Sequence, residues 1–254
     1  MSTPQPGIFA LGTISHYHLE LDRRSDVTTE EVAAAVRALR APSVTSGGSN
    51  LVVGFGADLW REIAPGEAPA ALVPFTAIEG AGRRAPATQH DVWVWVHGTG
   101  PDVLLDNARA VAGALAPVAT LAHELACFVY HDGLDLTGFI DGTENPAVHD
   151  GPEVATVPAG EPGAGGSFAI AMQWVHDLDA FGALPVPDQE QVIGRTKPGP
   201  TASPGSSRSS AGASRGGRWP SRGCTSSPSL PIRPGSTGCW RGCSEPPLMG
   251  SLTV

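Results

Sequence analysis

The sequence predicts an α+β chain whose antiparallel sheet carries its helices on one face. Three observations lead there. Polar and apolar residues alternate from Ile14 to Leu21, while Asp91 to His97 is apolar on both faces, the signatures of a half-buried and a fully covered strand. Two segments between such strands repeat apolar residues at helical spacing. The elements follow one another as β-α-β-β-α-β, which is the ferredoxin-like order.

Each element has its own signal. After the strand Ile14–Leu21, Thr28 and Glu31 form a capping-box pattern ahead of Val32, Val36 and Leu39. This predicts an amphipathic helix, which Pro42 ends. Asn50–Gly56 is the next strand, with a short helical turn over Asp58–Glu62. Residues 65–86, punctuated by Pro and Gly, read as a long connection. Asp91–His97 is a central strand whose Trp93 and Trp95 belong to the core. Asp102 is expected to cap a second helix, striped by Leu104, Ala108, Val111 and Leu115 and stopped by Pro117. Val118–Tyr130 returns to strand. His16 and His18 share one strand face and are expected at the surface or in an interface.

A second unit of the same kind begins near Cys127. Phe168–Val175 reads as a strand, and Leu178–Phe181 and Pro187–Val192 as helices. The strand, helix and strand needed to complete it have no counterpart. The expectation is therefore two ferredoxin-like units with antiparallel sheets, the second incomplete. Residues 1–125 form the first unit, 126–197 the start of the second, and 198–254 a low-complexity tail.

Composition separates body from tail. The 254 residues carry a net charge of −9, but residues 1–197 carry −14 and residues 198–254 carry +5. In the last 57 residues, 13 Ser, 10 Gly and 9 Pro leave too little apolar surface to offset the entropy of ordering. There is no run of 18 apolar residues, so no membrane-spanning helix is expected. The first cation is Arg23, which argues against a secretory signal. Cys127 is alone in the body, with Cys224, Cys239 and Cys243 in the tail, so no disulfide framework is expected and a reducing cytoplasm is the default location. The acidic body argues against nucleic acid as a partner.

The dense motif is Gly138 to Pro146, GFIDGTENP. Read alone, Asp141-Gly142 is a turn in which Asp141 bonds local backbone, and the many polar neighbours leave open a chemical role. GFIDGTENP resembles the signature of the dye-decolorising haem peroxidases, whose chains carry two ferredoxin-like units. Other blocks agree in order: Val53-Gly54-Phe55-Gly56 with Leu59-Trp60, Thr88-Gln89-His90-Asp91, Asp135-Leu136-Thr137, Gly165-Gly166-Ser167, Trp174 to Leu178, and Val192 to Lys197 (VIGRTK). The similarity runs from about Gly7 to Lys197 and is closest to the bacterial, cytoplasmic, short-chain subgroup.

The resemblance implies an enzyme that binds haem b, reduces hydrogen peroxide and oxidises small organic donors such as dyes or phenolics. It implies neither a nucleic-acid nor a membrane partner, and a homo-oligomer for an intact member. Asp141 is the implied catalytic acid–base residue, moving a proton between the peroxide oxygens. Ile140, Asp141, Gly142 and Thr143 are implied to lie against the haem, with Arg195 pairing to a propionate. No iron ligand is assigned, because the family's proximal His and distal Arg both follow the segment matched by GRTK. Here all eight histidines lie at or before His176, which is itself expected to make a structural hydrogen bond at a strand-to-helix junction.

The tail reads as a shifted reading frame. Decoded across codon boundaries, Cys239-Trp240 gives Leu, and the run to Glu245 permits Leu-Ala-Arg-Met-Phe-Gly, which is similar to the family's late helix. Cys224 to Pro228 permits His-Phe-Phe-Ala. The alternatives are a genuine Arg/Ser segment that binds RNA or a partner, or a weak zinc site at Cys239 and Cys243. For the chain as written, the alternative to a peroxidase is a haem-free, catalytically dead interaction module.

Overall fold

The computed structural model describes residues 4–39, 48–80, 82–131, 133–141, 145–197, 214–218, 222–226 and 248–253. The first unit opens with β1 (Ser15–Arg23), α1 (Thr29–Ala38) and β2 (Ser49–Phe55), followed by a short α2 (Ala57–Ile63). The long connection holds a small hairpin, β3 (Ile78–Gly80) and β4 (Arg83–Ala85). Then come β5 (Val92–Gly98), α3 (Pro101–Leu115) and β6 (Ala119–Phe128). The second unit supplies α4 (Gly151–Ala155), β7 (Phe168–Gln173), α5 (Leu178–Gly182) and α6 (Val186–Ile193). Segments β8 (Ser214–Arg218), β9 (Arg222–Ser226) and β10 (Leu248–Thr253) follow.

The strand order is β7-β10-β2-β5-β1-β6-β8-β9, and every described pairing is antiparallel. Its middle, β2-β5-β1-β6, is the ferredoxin-like sheet, with β1 and β5 central. Strand β10 meets β2 through Thr253 and Phe55, and β8 meets β6 through Arg215 and Phe128, so the later strands attach at the two edges of the first unit.

Helix α1 starts where the sequence sets it. Thr28 Oγ1 accepts from the Glu31 backbone N–H at 3.2 Å, and Glu31 Oε2 accepts from the Thr28 N–H at 2.8 Å. The helix ends at Ala38, and Pro42 lies outside the described residues. Asp102 does not cap α3: Gly100 holds the cap position, Pro101 is the first helical residue and Asp102 sits in the first turn. Proline's fixed φ suits that first position, which moves the start two residues earlier than a cap at Asp102 would.

The core lies between the sheet and α1 and α3. Leu19, Leu21, Val53, Val92, Val94 and Val96 project from the strands onto Val32, Leu104, Ala108, Val111 and Leu115. All of β5 is buried, so both of its faces are covered. On the opposite face Trp93 and Trp95 pack with Val52 and Ala169 of β7, which confirms their core role. His16 and His18 also point to this face and are 0% and 4% exposed. The surface or interface position expected for them is thus corrected: the face that alternation leaves over is roofed within the chain by β7 and the N-terminal segment, which strand periodicity does not report.

A candidate active-site loop at the start of the second unit

The GFIDG loop is built by local hydrogen bonds. Asp135 forms the Asx turn here: its Oδ1 accepts from the Thr137 N–H at 2.9 Å and from Thr137 Oγ1 at 3.0 Å. Asp135 N donates to Phe139 O and Gly138 N to Asp135 O, each at 2.7 Å. Gly138 has φ +85, and a side chain there would press on Lys197. The Asp141 N–H then donates to Gly133 O at 2.9 Å, which holds the aspartate at the end of a closed loop.

The GRTK segment clasps this loop from outside. Arg195 Nη1 donates to the Ile140 carbonyl at 2.9 Å. Lys197 Nζ lies 5.4 Å from the centre of the Phe139 ring and donates to Gln189 Oε1 at 2.7 Å. Phe139 is 1% exposed and meets Phe181 edge-on. Of the implied site residues, Ile140, Asp141 and Arg195 are therefore brought together across 55 residues of sequence. Gly142 and Thr143 lie outside the described residues. Phe139 and Lys197, the clamp itself, were not singled out from sequence; a lone aromatic between Gly138 and Ile140 was the signal available.

All eight histidines can be placed. His16, His18 and His97 form a stacked ladder with Trp93 and Trp95, in which Trp95 Nε1 donates to His16 Nδ1 at 3.1 Å and the Trp95 and His97 rings are 3.8 Å apart. Burial drives His16 down to about 4 and His97 to about 3, and depresses His18 in the same way, so the ladder is neutral. His90 and His123 flank Glu20, whose own carboxyl is raised by burial against the opposing pull of those two rings. His176, between β7 and α5, stands 3.4 Å from Asp135. His131 and His149 are exposed.

This arrangement does not fit a histidine-held haem. An axial imidazole needs a fixed ring beside an open cavity. Here three rings are buried in the ladder, three stand beside carboxylates with His123 itself 41% exposed, and the other two are open to solvent. A described cavity of about 200 Å³ is lined by residues such as His18, Glu20 and Met172, not by Ile140, Asp141 or Arg195. That volume also falls below the roughly 300–1,000 Å³ of cofactor sites.

A ferredoxin-like α+β chain with an aspartate loop at the head of its second unit defines the class of protein. Residues 26–128 match the family model for the Dyp-type peroxidase N-terminal region, and residues 132–204 that for its C-terminal region. The chain belongs to the Dyp-type peroxidase family. A dye-decolorizing peroxidase of Rhodococcus erythropolis is 34% identical over 181 residues, 70% of this chain and 53% of that protein. One from Brevibacterium linens is 35% identical over 147 residues, 58% of this chain and 40% of that protein. The chain thus spans about half, or less, of the length of these curated relatives. DyPB from Rhodococcus jostii RHA1 superposes with a TM-score of 0.73 at 25% identity, covering 89% of this chain and 83% of that one. A variant of the same protein in complex with haem gives the same TM-score and identity over 88% and 82%. Among the described residues no helix is long and apolar enough to cross a membrane.

Proposed function

We propose that the chain descends from a haem peroxidase that reduces hydrogen peroxide and oxidises small organic donors, and that it keeps that enzyme's proton-handling loop. The observation that supports this is the Arg195 hydrogen bond to the Ile140 carbonyl, which ties the GRTK segment to the GFIDG loop. In this reading Asp141 takes a proton from one peroxide oxygen and returns it to the other. Gly142 and Thr143 complete the haem-facing loop, Arg195 turns to a propionate, and an intact member works in the cytoplasm as a homo-oligomer.

A second reading concerns the chain as written. Six histidines stand in the ladder or beside carboxylates, among them His176 on Asp135 of the loop itself, and the other two are exposed, which favours a haem-free, inactive chain. The shifted frame after Lys197 accounts for this, because the family's iron ligand follows that point. The experiment is to express this chain with haem supplied and record its absorption spectrum and peroxide-dependent dye oxidation. We expect neither a Soret band nor turnover. A second protein, with the frame restored after Lys197, is expected to show both. A Soret band and turnover in the first protein overturn the haem-free reading; failure of the second to bind haem overturns the peroxidase reading. A stop codon early in the shifted frame of the coding DNA overturns the frameshift.

A further inference from the structure

The loop that ends in Asp141 is tied to the second unit at a place besides the GRTK segment. Four hydrogen bonds of the loop end on Asp135. Its Oδ1 accepts from the Thr137 N–H and hydroxyl, its N–H donates to Phe139 O, and its carbonyl accepts from the Gly138 N–H. That same oxygen, Oδ1, lies 3.4 Å from His176 Nε2. The side chains are 13% exposed for His176 and 25% for Asp135, so the pair is largely shielded from solvent. His176 leads from β7 into α5, where Asp177 caps the helix by accepting from the Ala180 N–H at 3.0 Å. About one turn on, Phe181 of the same helix meets Phe139 edge-on. The β7–α5 junction therefore touches the loop twice, at Asp135 through a titratable pair and at Phe139 through an apolar ring.

The two contacts respond differently to protons. The aromatic one carries no titratable group. An ionised carboxylate only accepts, so it attracts an imidazole through an N–H. The neutral ring has one N–H, on either nitrogen; the imidazolium has both, and its charge strengthens the bond it makes. Other charged groups on the surrounding elements are Asp141 in the loop, Asp177 and Asp179 at the start of α5, and Arg195 and Lys197 of the GRTK segment, while His131 lies in the turn before the loop. Carboxylates, guanidinium and ammonium groups ordinarily keep their charge between about pH 6 and 8.5, whereas an imidazole changes its own near the lower end of that range.

We propose that His176 is a positioning residue for the Asp141 loop. Its imidazolium pairs with Asp135 and holds the loop closed, and the hold weakens as rising pH removes that charge. This rests on the reading of Asp141 as the proton-handling residue, and it gives that residue a support that itself titrates.

The test is amide hydrogen exchange of the whole chain, with rates corrected for the intrinsic effect of pH. We expect protection of the Gly138 and Asp141 amides to fall about three- to fivefold, relative to those of β5, between about pH 6 and 8.5, as befits a partly exposed charge pair. The buried ladder acts in the opposite sense, losing stability as pH falls, so it does not mimic this effect. His176→Gln and Asp135→Asn each remove the fall, and the double variant behaves like either single one. His131→Asn, which suits the left-handed backbone at φ +41, retains it. Asp135→Asn keeps an oxygen for the Asx turn, so it carries the test even where circular dichroism shows that His176→Gln has not folded. Protection that does not change with pH in the parent, a fall that persists in Asp135→Asn or in folded His176→Gln, or one abolished by His131→Asn overturns the proposal. None of these measurements needs haem, so they stand or fall apart from the spectrum that tests the peroxidase reading.

Discussion

Gly56 has no room for a side chain. A Cβ there would lie 2.5 Å from the His90 carbonyl oxygen, while the Gly56 N–H donates to Asp91 O at 2.8 Å. The glycine therefore lets the end of β2 lie directly against the turn that leads into β5. Gly56→Ala must push these backbones apart, and we expect a loss of about 1–3 kcal/mol, the usual cost of overpacking. Urea denaturation checks this; an unchanged midpoint with an unchanged slope refutes the close contact. Val53-Gly54-Phe55-Gly56 was legible in the sequence as a family block, but its reason was not. Its contact is with residues 34 positions away, and only the sheet register brings them there.

At the scale of the element, β5 decides most. Its valines face the helices and its Trp93, Trp95 and His97 face β7, so one strand separates two cores. The apolar run from Asp91 to His97 predicted burial on both faces. It did not predict that the second face would be an aromatic ladder with His16 and His18. Trp95 holds that ladder in place by donating to His16 Nδ1. Trp95→Phe keeps most of the ring but leaves a buried imidazole nitrogen without its donor. We expect a loss of about 1–3 kcal/mol beyond that of a Phe substitution at an apolar site, read from chemical denaturation. A change below about 0.5 kcal/mol means the hydrogen bond adds nothing net. Helix α1 contrasts with this. Its capping box is local, so Thr28 and Glu31 announced it directly, whereas the start of α3 shifted because Pro101 competes with Asp102 for the first turn.

For the whole molecule, the ladder makes stability depend on pH. His16 and His97 titrate at about 4 and about 3 in the folded chain, below the 6.5 of an unburied imidazole. The unfolded chain thus binds more protons as pH falls below 6.5, and the folded state loses stability from there down to the folded values. Each histidine contributes up to about 1.4 kcal/mol per pH unit in that window. Glu31 and Glu62 have lowered pKa values from their hydrogen bonds, so they weaken the fold only at more acidic pH. Glu20, raised by burial, acts in the opposite sense. Urea midpoints are expected to fall between about pH 7.5 and 5, and to fall less steeply in His97→Gln. Equal slopes in the two proteins refute the assignment.

The sequence by itself determined the α+β class, the strand–helix order of the first unit, the capping of α1 and the family. Each of these is written in short-range spacing or in contiguous motifs such as GFIDGTENP. Tertiary structure alone decided that His16 and His18 are buried, that Arg195 grips the Ile140 carbonyl, and that Glu20 meets both His90 and His123. The physical reason is the same each time. Strand periodicity states which residues share a face, but what covers that face comes from chain many residues away. Only folding brings the cover and its charges within reach.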